Sequence, residues 1–120
     1  MSNYVCIHGH FYQPPRENPF TGVVAEQPTA APFHDWNERI TAECYAANAR
    51  AEILDDSGAV VRTVNNYERI SSDFGPTLLS WLQENAADIY QAIVGADAAS
   101  SHRFDGHGSA MAQAYNHTIL

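Results

Sequence analysis

The sequence has little positive charge, few cysteines and no long apolar run. Its 120 residues contain 6 Lys and Arg against 14 Asp and Glu, so the formal net charge is −8 with neutral histidines. No segment concentrates Lys or Arg, and the basic surface that nucleic acids and anionic membranes attract is missing. We therefore expect neither a nucleic acid nor a membrane as a partner.

The N-terminus and the cysteines both favour a cytoplasmic protein. The first residues lack the basic region and the apolar stretch of an export signal, and nowhere do about 18 apolar residues follow one another. Cys6 and Cys44 are not spaced as a CxxC pair. We expect reduced thiols that pack in the core, with neither a disulfide nor a metal.

The length limits the chain to one folded unit. A chain of 120 residues can bury one modest core, whereas a complete α/β barrel needs about 250 residues. Leu120 ends an apolar segment without a cap, a turn or a polar tail. We therefore expect a part of a longer protein.

Local patterns predict the elements of the first half. The apolar, partly β-branched residues 4–8 are typical of a buried strand in a parallel sheet. Residues 13–32 hold all but one of the six prolines, which predicts a long loop. Asp35 and Glu38 have the spacing of a capping box, and apolar residues then recur with helical spacing. A helix over about residues 36–51 follows.

The second half combines a hairpin with further helices. The turn residues 55–58 separate two β-prone runs, 52–54 and 60–64, which predicts a hairpin or strand pair. Pro76 suits the first position of a helix, because its missing N–H has no intrahelical partner there. Asn85 is the expected cap of the next helix.

The most specific local feature is His8-Gly9-His10, followed by Tyr12 and Gln13. Side chains two apart on a strand share a face, so both imidazoles should point together at the end of the strand. Such groups beside an aromatic ring suit a hydroxyl-rich ligand such as a sugar. They equally suit a metal, because imidazole is a common zinc ligand. A third interpretation is that these are hydrogen-bonded histidines without a ligand.

Four blocks of sequence are found in the same order as in one enzyme family. They are residues 8–17 (HGHFYQPPRE), 34–40 (HDWNERI), 65–67 with 74–79 (NNY and FGPTLL), and 106–109 with 116–117 (GHGS and NH). Together they resemble the N-terminal end of glycoside hydrolase family 57, in the branch that carries an appended domain of unknown function. The resemblance covers the whole chain.

The resemblance implies a fold, a reaction and a set of site residues. Residues 1–120 would be an α/β fragment, the N-terminal segment of a distorted (β/α)7 catalytic barrel. The family acts on α-glucans by a retaining mechanism with a glutamate nucleophile and an aspartate acid. No position here matches either carboxylate, so we expect no catalytic residue, cofactor or metal in this chain. The substrate-binding residues would be His8, His10, Tyr12, Gln13 and His107.

Two details of the resemblance bear on these residues. The family's His-Gln-Pro signature corresponds to His8, His10, Gln13 and Pro14, although Phe11-Tyr12 intervene here. The resemblance also implies that His107 and residues 116–117 approach the same site. The local pattern at residues 109–112 separately predicts a strand that enters a further loop. The alternative for His107 is a hydrogen-bonded loop histidine.

The carboxylates of the chain suggest no catalytic pair. A retaining glycosidase needs two carboxyl groups about 5 Å apart, one of them with a raised pKa. Helix capping explains Asp35 and Glu38. Glu17 and Asp73 are left without such an explanation, and we expect each to be a solvated acid or a cap.

Two other functions stay open. His8 and His10 could bind zinc in a deacetylase-like or mannosidase-like hydrolase, although such relatives mix histidine with aspartate in the first-strand motif and no aspartate stands there. The chain could also belong to a non-catalytic carbohydrate-binding or scaffold domain. In each case a piece of a barrel exposes apolar faces, which predicts self-association.

Overall fold

The computed structural model describes residues 1–117 and has strands and helices mixed along the chain, which confirms the predicted α/β class. The apolar segment that ends at Leu120 lies outside the described residues. None of the described helices is long and apolar enough to span a membrane. The elements are β1 (His8–Phe11), α1 (Trp36–Ile40), a π-helical turn (Thr41–Tyr45), α2 (Ala46–Ala49), β2 (Ala51–Leu54), β3 (Val60–Val64), β4 (Ser71–Phe74), α3 (Pro76–Asn85) and α4 (Ala87–Arg103), with short 3-10 turns at Pro28–Ala30 and Asn66–Glu68.

The first strand begins later than predicted. The prediction of a buried strand at residues 4–8 is wrong, because Tyr4 and Val5 are 91% and 90% exposed and the strand begins at His8. Cys6 is exposed in the same segment, so its predicted packing in the core is also wrong. The apolar character of this segment was a misleading signal, since no described element covers its side chains.

The predicted parallel pairing of the first strand is confirmed. β1 lies parallel to β4, with His8 opposite Ser71 and His10 opposite Asp73. Beyond β4, Ser72 forms an isolated parallel bridge with Ala110. The strand expected at residues 109–112 is therefore reduced to this bridge, and three parallel segments lie side by side in the order β1, β4, Ala110.

The helix predicted at residues 36–51 is present as α1, the π-helical turn and α2 in succession. Asp35 is its N-cap, and the Oδ1 atom accepts the backbone N–H of Glu38 at 3.1 Å. The Glu38 carboxylate accepts the N–H of His34 at 3.2 Å, one residue before the position that a capping box requires. The cap is confirmed, and its return bond is displaced by one residue.

The predicted hairpin and the helix after Gly75 are also confirmed. β2 and β3 pair antiparallel, and Gly58 has a positive φ of 84° in the connecting turn, a conformation that disfavours a side chain. Pro76 lies in the first turn of α3. Asn85 does not cap α4, because it is the last residue of α3 and its side-chain amide donates to the Trp81 carbonyl. That prediction is wrong.

The core lies between β1, β4 and the helices. Its fully buried side chains include Tyr67, whose hydroxyl donates to the Tyr45 carbonyl at 3.0 Å. Cys44 packs against this core as a free thiol, as predicted. The buried members are Tyr45, Ala49, Tyr67, Leu78, Trp81, Leu82, Ile89, Ile93 and Ala96.

The alternation of β1 joins the core to the surface. Phe11 stacks on Phe74 with ring centroids 4.7 Å apart and meets Tyr67 edge-on. A Cβ atom at position 9 would lie 2.5 Å from the Phe11 ring and would clash with it, so the ring can occupy this position only because residue 9 is a glycine. Because successive strand residues face opposite sides, His8 and His10 project away from the core.

Candidate functional site

The two imidazoles of β1 lie on one face and meet a single carboxylate. The Nε2 atom of His8 is 3.0 Å from Oδ1 of Asp73, and Nδ1 of His10 is 2.7 Å from Oδ2. The side chains of His8 and His10 are 43% and 48% exposed, whereas that of Asp73 is 13% exposed. We call His8, His10, Ser71 and Asp73 the histidine cluster.

β4 supplies both partners of the histidines. Ser71 and Asp73 are two residues apart on this strand, so they share a face in the same way as His8 and His10. The Ser71 hydroxyl lies 2.9 Å from Nδ1 of His8. Because the Asp73 carboxylate can only accept, a neutral His8 holds its proton on Nε2 and accepts the Ser71 hydroxyl at Nδ1.

The same reasoning defines the free atom of His10. Its Nδ1 carries the proton that Asp73 accepts. In the neutral ring the lone pair is then on Nε2, which has no hydrogen bond within residues 1–117. His10 therefore presents an acceptor to any ligand that approaches the cluster.

Asp73 is held as a carboxylate. Partial burial raises the pKa of Asp73, but the hydrogen bonds and positive charges of His10 and His8 outweigh it, and the pKa falls below the ordinary value of 3.8. Both of its oxygens are used by imidazoles. Asp73 can thus orient the two rings, and it has no proton to donate near neutral pH.

A surface depression of 260 Å³ opens beside the cluster. The rings of His10 and His117 line this depression, and His117 stacks on Tyr12 at 4.1 Å and on His10 at 5.4 Å. Such rings can cover the apolar face of a sugar. The depression, which we call the His10 depression, is lined by His10, Asp73, Gln113, Ala114, Asn116 and His117.

Two of the predicted substrate-binding residues lie elsewhere. Gln13 is buried, donates from Nε2 to the Tyr45 hydroxyl at 2.9 Å and accepts a hydrogen bond from Arg16 at 2.8 Å. Its amide therefore joins the loop to the core. His107 is exposed and lines a separate depression together with Cys6 and Ser109. A ligand contact for either residue stays a prediction.

Sequence reasoning missed the role of β4. Asp73 was expected to be a solvated acid or a cap, and that is wrong, since its carboxylate is mostly buried against two imidazoles. The signal was present in the two-residue spacing of Ser71 and Asp73. A four-residue strand of two serines, an aspartate and a phenylalanine has too little β-propensity to be recognised locally.

Comparisons with known proteins do not assign the chain to a family. No family model matches it, and neither the curated proteins nor the solved structures include a match. The likeness to glycoside hydrolase family 57 therefore stays a prediction from the sequence blocks. The geometry of the histidine cluster stands independently of it.

Proposed function

We propose that this chain is the N-terminal part of a glycosidase or transglycosylase that acts on α-glucan by a retaining mechanism. The observation that carries the proposal is the pair of half-exposed imidazoles, held on one face by Asp73 beside the His10 depression. An enzyme that orients a sugar needs fixed hydrogen-bonding groups beside an aromatic surface. The depression combines both.

The arrangement of parallel segments supports the barrel part of the proposal. β1, β4 and Ala110 are neighbours, and they are connected through helices, as in an α/β barrel. Tyr12 follows β1, and residues 113–117 follow the bridge at Ala110, so the His10 depression lies past the C-terminal ends of these segments. Barrel enzymes bind substrate at this edge.

Each group would have a distinct task. The Nε2 atom of His10 accepts a sugar hydroxyl, and the Asn116 amide can both donate and accept. The His117 ring, which stacks on Tyr12, would contact an apolar sugar face. Ser71 and Asp73 set the protonated nitrogen of His8 and keep the rings from turning.

The state of Asp73 supports a nucleophile and an acid that lie outside residues 1–120. A general acid for glycoside cleavage needs a raised pKa, whereas the pKa of Asp73 is lowered. A nucleophile needs a free oxygen, and both Asp73 oxygens are occupied. Among the described residues that line the His10 depression, no other carboxylate is present.

A binding experiment tests this proposal. We expect the 120-residue chain to bind maltoheptaose in calorimetry and not to hydrolyse it or glycogen. His10→Ala should weaken binding at least tenfold, and exposed His102→Ala, on α4, should leave it unchanged. Absence of binding by the wild type, or hydrolysis by this chain, would refute the proposed role.

One observation favours a zinc hydrolase as the second candidate. Asp73 supplies, from β4, the aspartate that the first-strand motif lacks, and it contacts both histidines. The Oδ1 atom of Asp73 contacts His8 and the Oδ2 atom contacts His10, so the three side chains form two separate contacts and do not converge on one metal position. Stoichiometric zinc that is lost in His8→Ala and kept in His34→Ala would favour this candidate over a sugar site without metal.

We also propose that the chain self-associates. Tyr4 and Val5 are almost fully exposed, and Ile7, which directly precedes β1, is 63% exposed. Exposed apolar side chains that follow one another at the start of a strand are a surface for a second copy. Sedimentation should reveal concentration-dependent dimers that weaken in Val5→Ser, and a monomer at all concentrations would contradict this.

A further inference from the structure

A second group of ionisable side chains lies at the start of α1. One imidazole nitrogen of His34 and one carboxylate oxygen each of Asp35 and Glu38 lie within 4.8 Å of one another. Among residues 1–117, this is the group whose potential ligand atoms converge in this way. We call these three residues the His34 cluster.

The helix cap builds the cluster. Asp35 is 3% exposed, and its Oδ1 atom accepts the N–H of Glu38 while Oδ2 lies 2.8 Å from Nδ1 of His34. The first turn of the helix brings Glu38 back over Asp35, because residues three apart are neighbours on a helix. One carboxylate is thus fixed by the backbone, and His34 and Glu38 are exposed and able to move.

The surroundings of the cluster favour a cation. A depression of 300 Å³ adjoins it and is lined in addition by Glu84 and Asn85 at the end of α3. No Lys or Arg is present among the described residues that line it. The other lining residues are Gly22, Val23, Val24 and Trp81.

We propose that the His34 cluster binds a divalent first-row transition metal ion, with zinc as the best fit. Imidazole nitrogen together with carboxylate oxygen is a typical zinc donor set, whereas calcium and magnesium prefer oxygen donors alone. Three protein ligands leave a fourth position for water, for which the depression has room. The proposal does not depend on the glycosidase function.

The structural adjustment that the ion requires is small. Zinc bonds of about 2.0–2.2 Å in a tetrahedron bring ligand atoms to about 3.4 Å from one another. The present spread within 4.8 Å closes by rotation of the exposed His34 and Glu38 side chains, while Asp35 keeps its cap. The ion would then connect His34, which directly follows the proline-rich loop, to Glu38 in α1. The His34 carbonyl also accepts the N–H of Gln27 in that loop.

Zinc titration of the metal-free, tag-free chain tests the proposal. We expect one ion per chain in calorimetry, with affinity at least tenfold lower in both His34→Ala and Glu38→Gln. The glutamine keeps an acceptor for the His34 N–H and removes only the anionic ligand. Exposed His102→Ala is the matched control, and His8→Ala separates this site from the histidine cluster, so both should bind as the wild type does.

A second measurement needs no variant. Zinc should shift the imidazole ¹⁵N resonances of His34 in the wild type and leave those of His8 and His10 in place. Calcium should bind at least tenfold more weakly. The proposal is overturned if the wild type binds no zinc, if His8→Ala and not His34→Ala removes it, or if calcium binds equally well.

Discussion

The polar groups of the core are shielded from water, whereas those of the histidine cluster are partly exposed to it. In the core, Tyr67 is 1% exposed and its hydroxyl donates to a single partner, the Tyr45 carbonyl. In the cluster, two imidazoles that are nearly half exposed share the less exposed Asp73. Water can replace a lost partner at the surface and cannot do so in the core. The core should therefore determine stability, and the cluster should determine orientation.

β1 is the element that belongs to both regions. Phe11 packs in the aromatic part of the core, and His10 beside it faces the His10 depression. The position of the imidazoles consequently depends on the packing of Phe11. Substitutions in the core should nevertheless act mainly on stability, and substitutions in the histidine cluster should act mainly on the orientation of the imidazole rings.

The largest expected effect is the loss of a core leucine. Leu82 is fully buried, so Leu82→Ala should lower the free energy of unfolding by about 2–5 kcal/mol in urea denaturation. Leu54 is 54% exposed in β2, and Leu54→Ala should cost only about 0.5 kcal/mol. Equal losses of unfolding free energy in the two variants would contradict the proposed difference between core and surface positions.

The next effect concerns the buried tyrosines at high pH. Burial raises the pKa of both Tyr45 and Tyr67 above the ordinary value of 10.0. The unfolded chain loses these protons near pH 10 and the folded chain retains them, so stability is full below that pH. Above it, stability should fall as the pH rises, by at most about 1.4 kcal/mol per pH unit for each tyrosine.

Tyr67→Phe isolates the contribution of one of these groups. The variant leaves the Tyr45 carbonyl without its hydroxyl donor, and we expect a loss of about 1–2 kcal/mol at pH 7. Its stability should decline less steeply than that of the wild type between pH 10 and pH 11. Identical slopes in denaturation curves would show that Tyr67 ionises as freely in the folded chain as in the unfolded chain.

Asp73→Asn should alter orientation more than stability. The asparagine can accept only one of the two imidazole protons, so the ¹⁵N resonances of His8 and His10 should change while those of His102 do not. We expect a loss of about 1 kcal/mol at pH 7. Because the pKa of Asp73 is lowered, its contribution is present above about pH 3.8 and is lost as the pH falls, so the two proteins should converge in acid.

The smallest expected effect is that of Ser71→Ala. Within residues 1–117 the hydroxyl forms its side-chain hydrogen bond with Nδ1 of His8 alone, so the variant should change the resonances of His8 and leave those of His10 unchanged. Stability should change by no more than about 0.5 kcal/mol, since water can replace the hydroxyl at this exposed ring. A change at His10 of the same size would show that the cluster responds as one unit.

Elements with strong local signals were predictable from the sequence. The Asp35 cap, the turn before β3 and Pro76 at the start of α3 each depend on residues within one turn of the chain. Cap and turn geometry acts over a few residues and needs no distant partner. The strand predicted at residues 4–8 and the cap predicted at Asn85 were wrong, because the structure of these segments depends on which other parts of the chain pack against them.

The sequence by itself determined that His8 and His10 share a face, because strand side chains alternate with a period of two. Only the tertiary structure decided which groups they meet. Asp73 is 63 residues from His10 along the chain, and parallel pairing brings it into contact through a crossover that leaves no local trace. His117 reaches the same depression from the segment that follows the Ala110 bridge. Strand pairing over such separations depends on the packing of the whole core, so it cannot be predicted from a short sequence pattern.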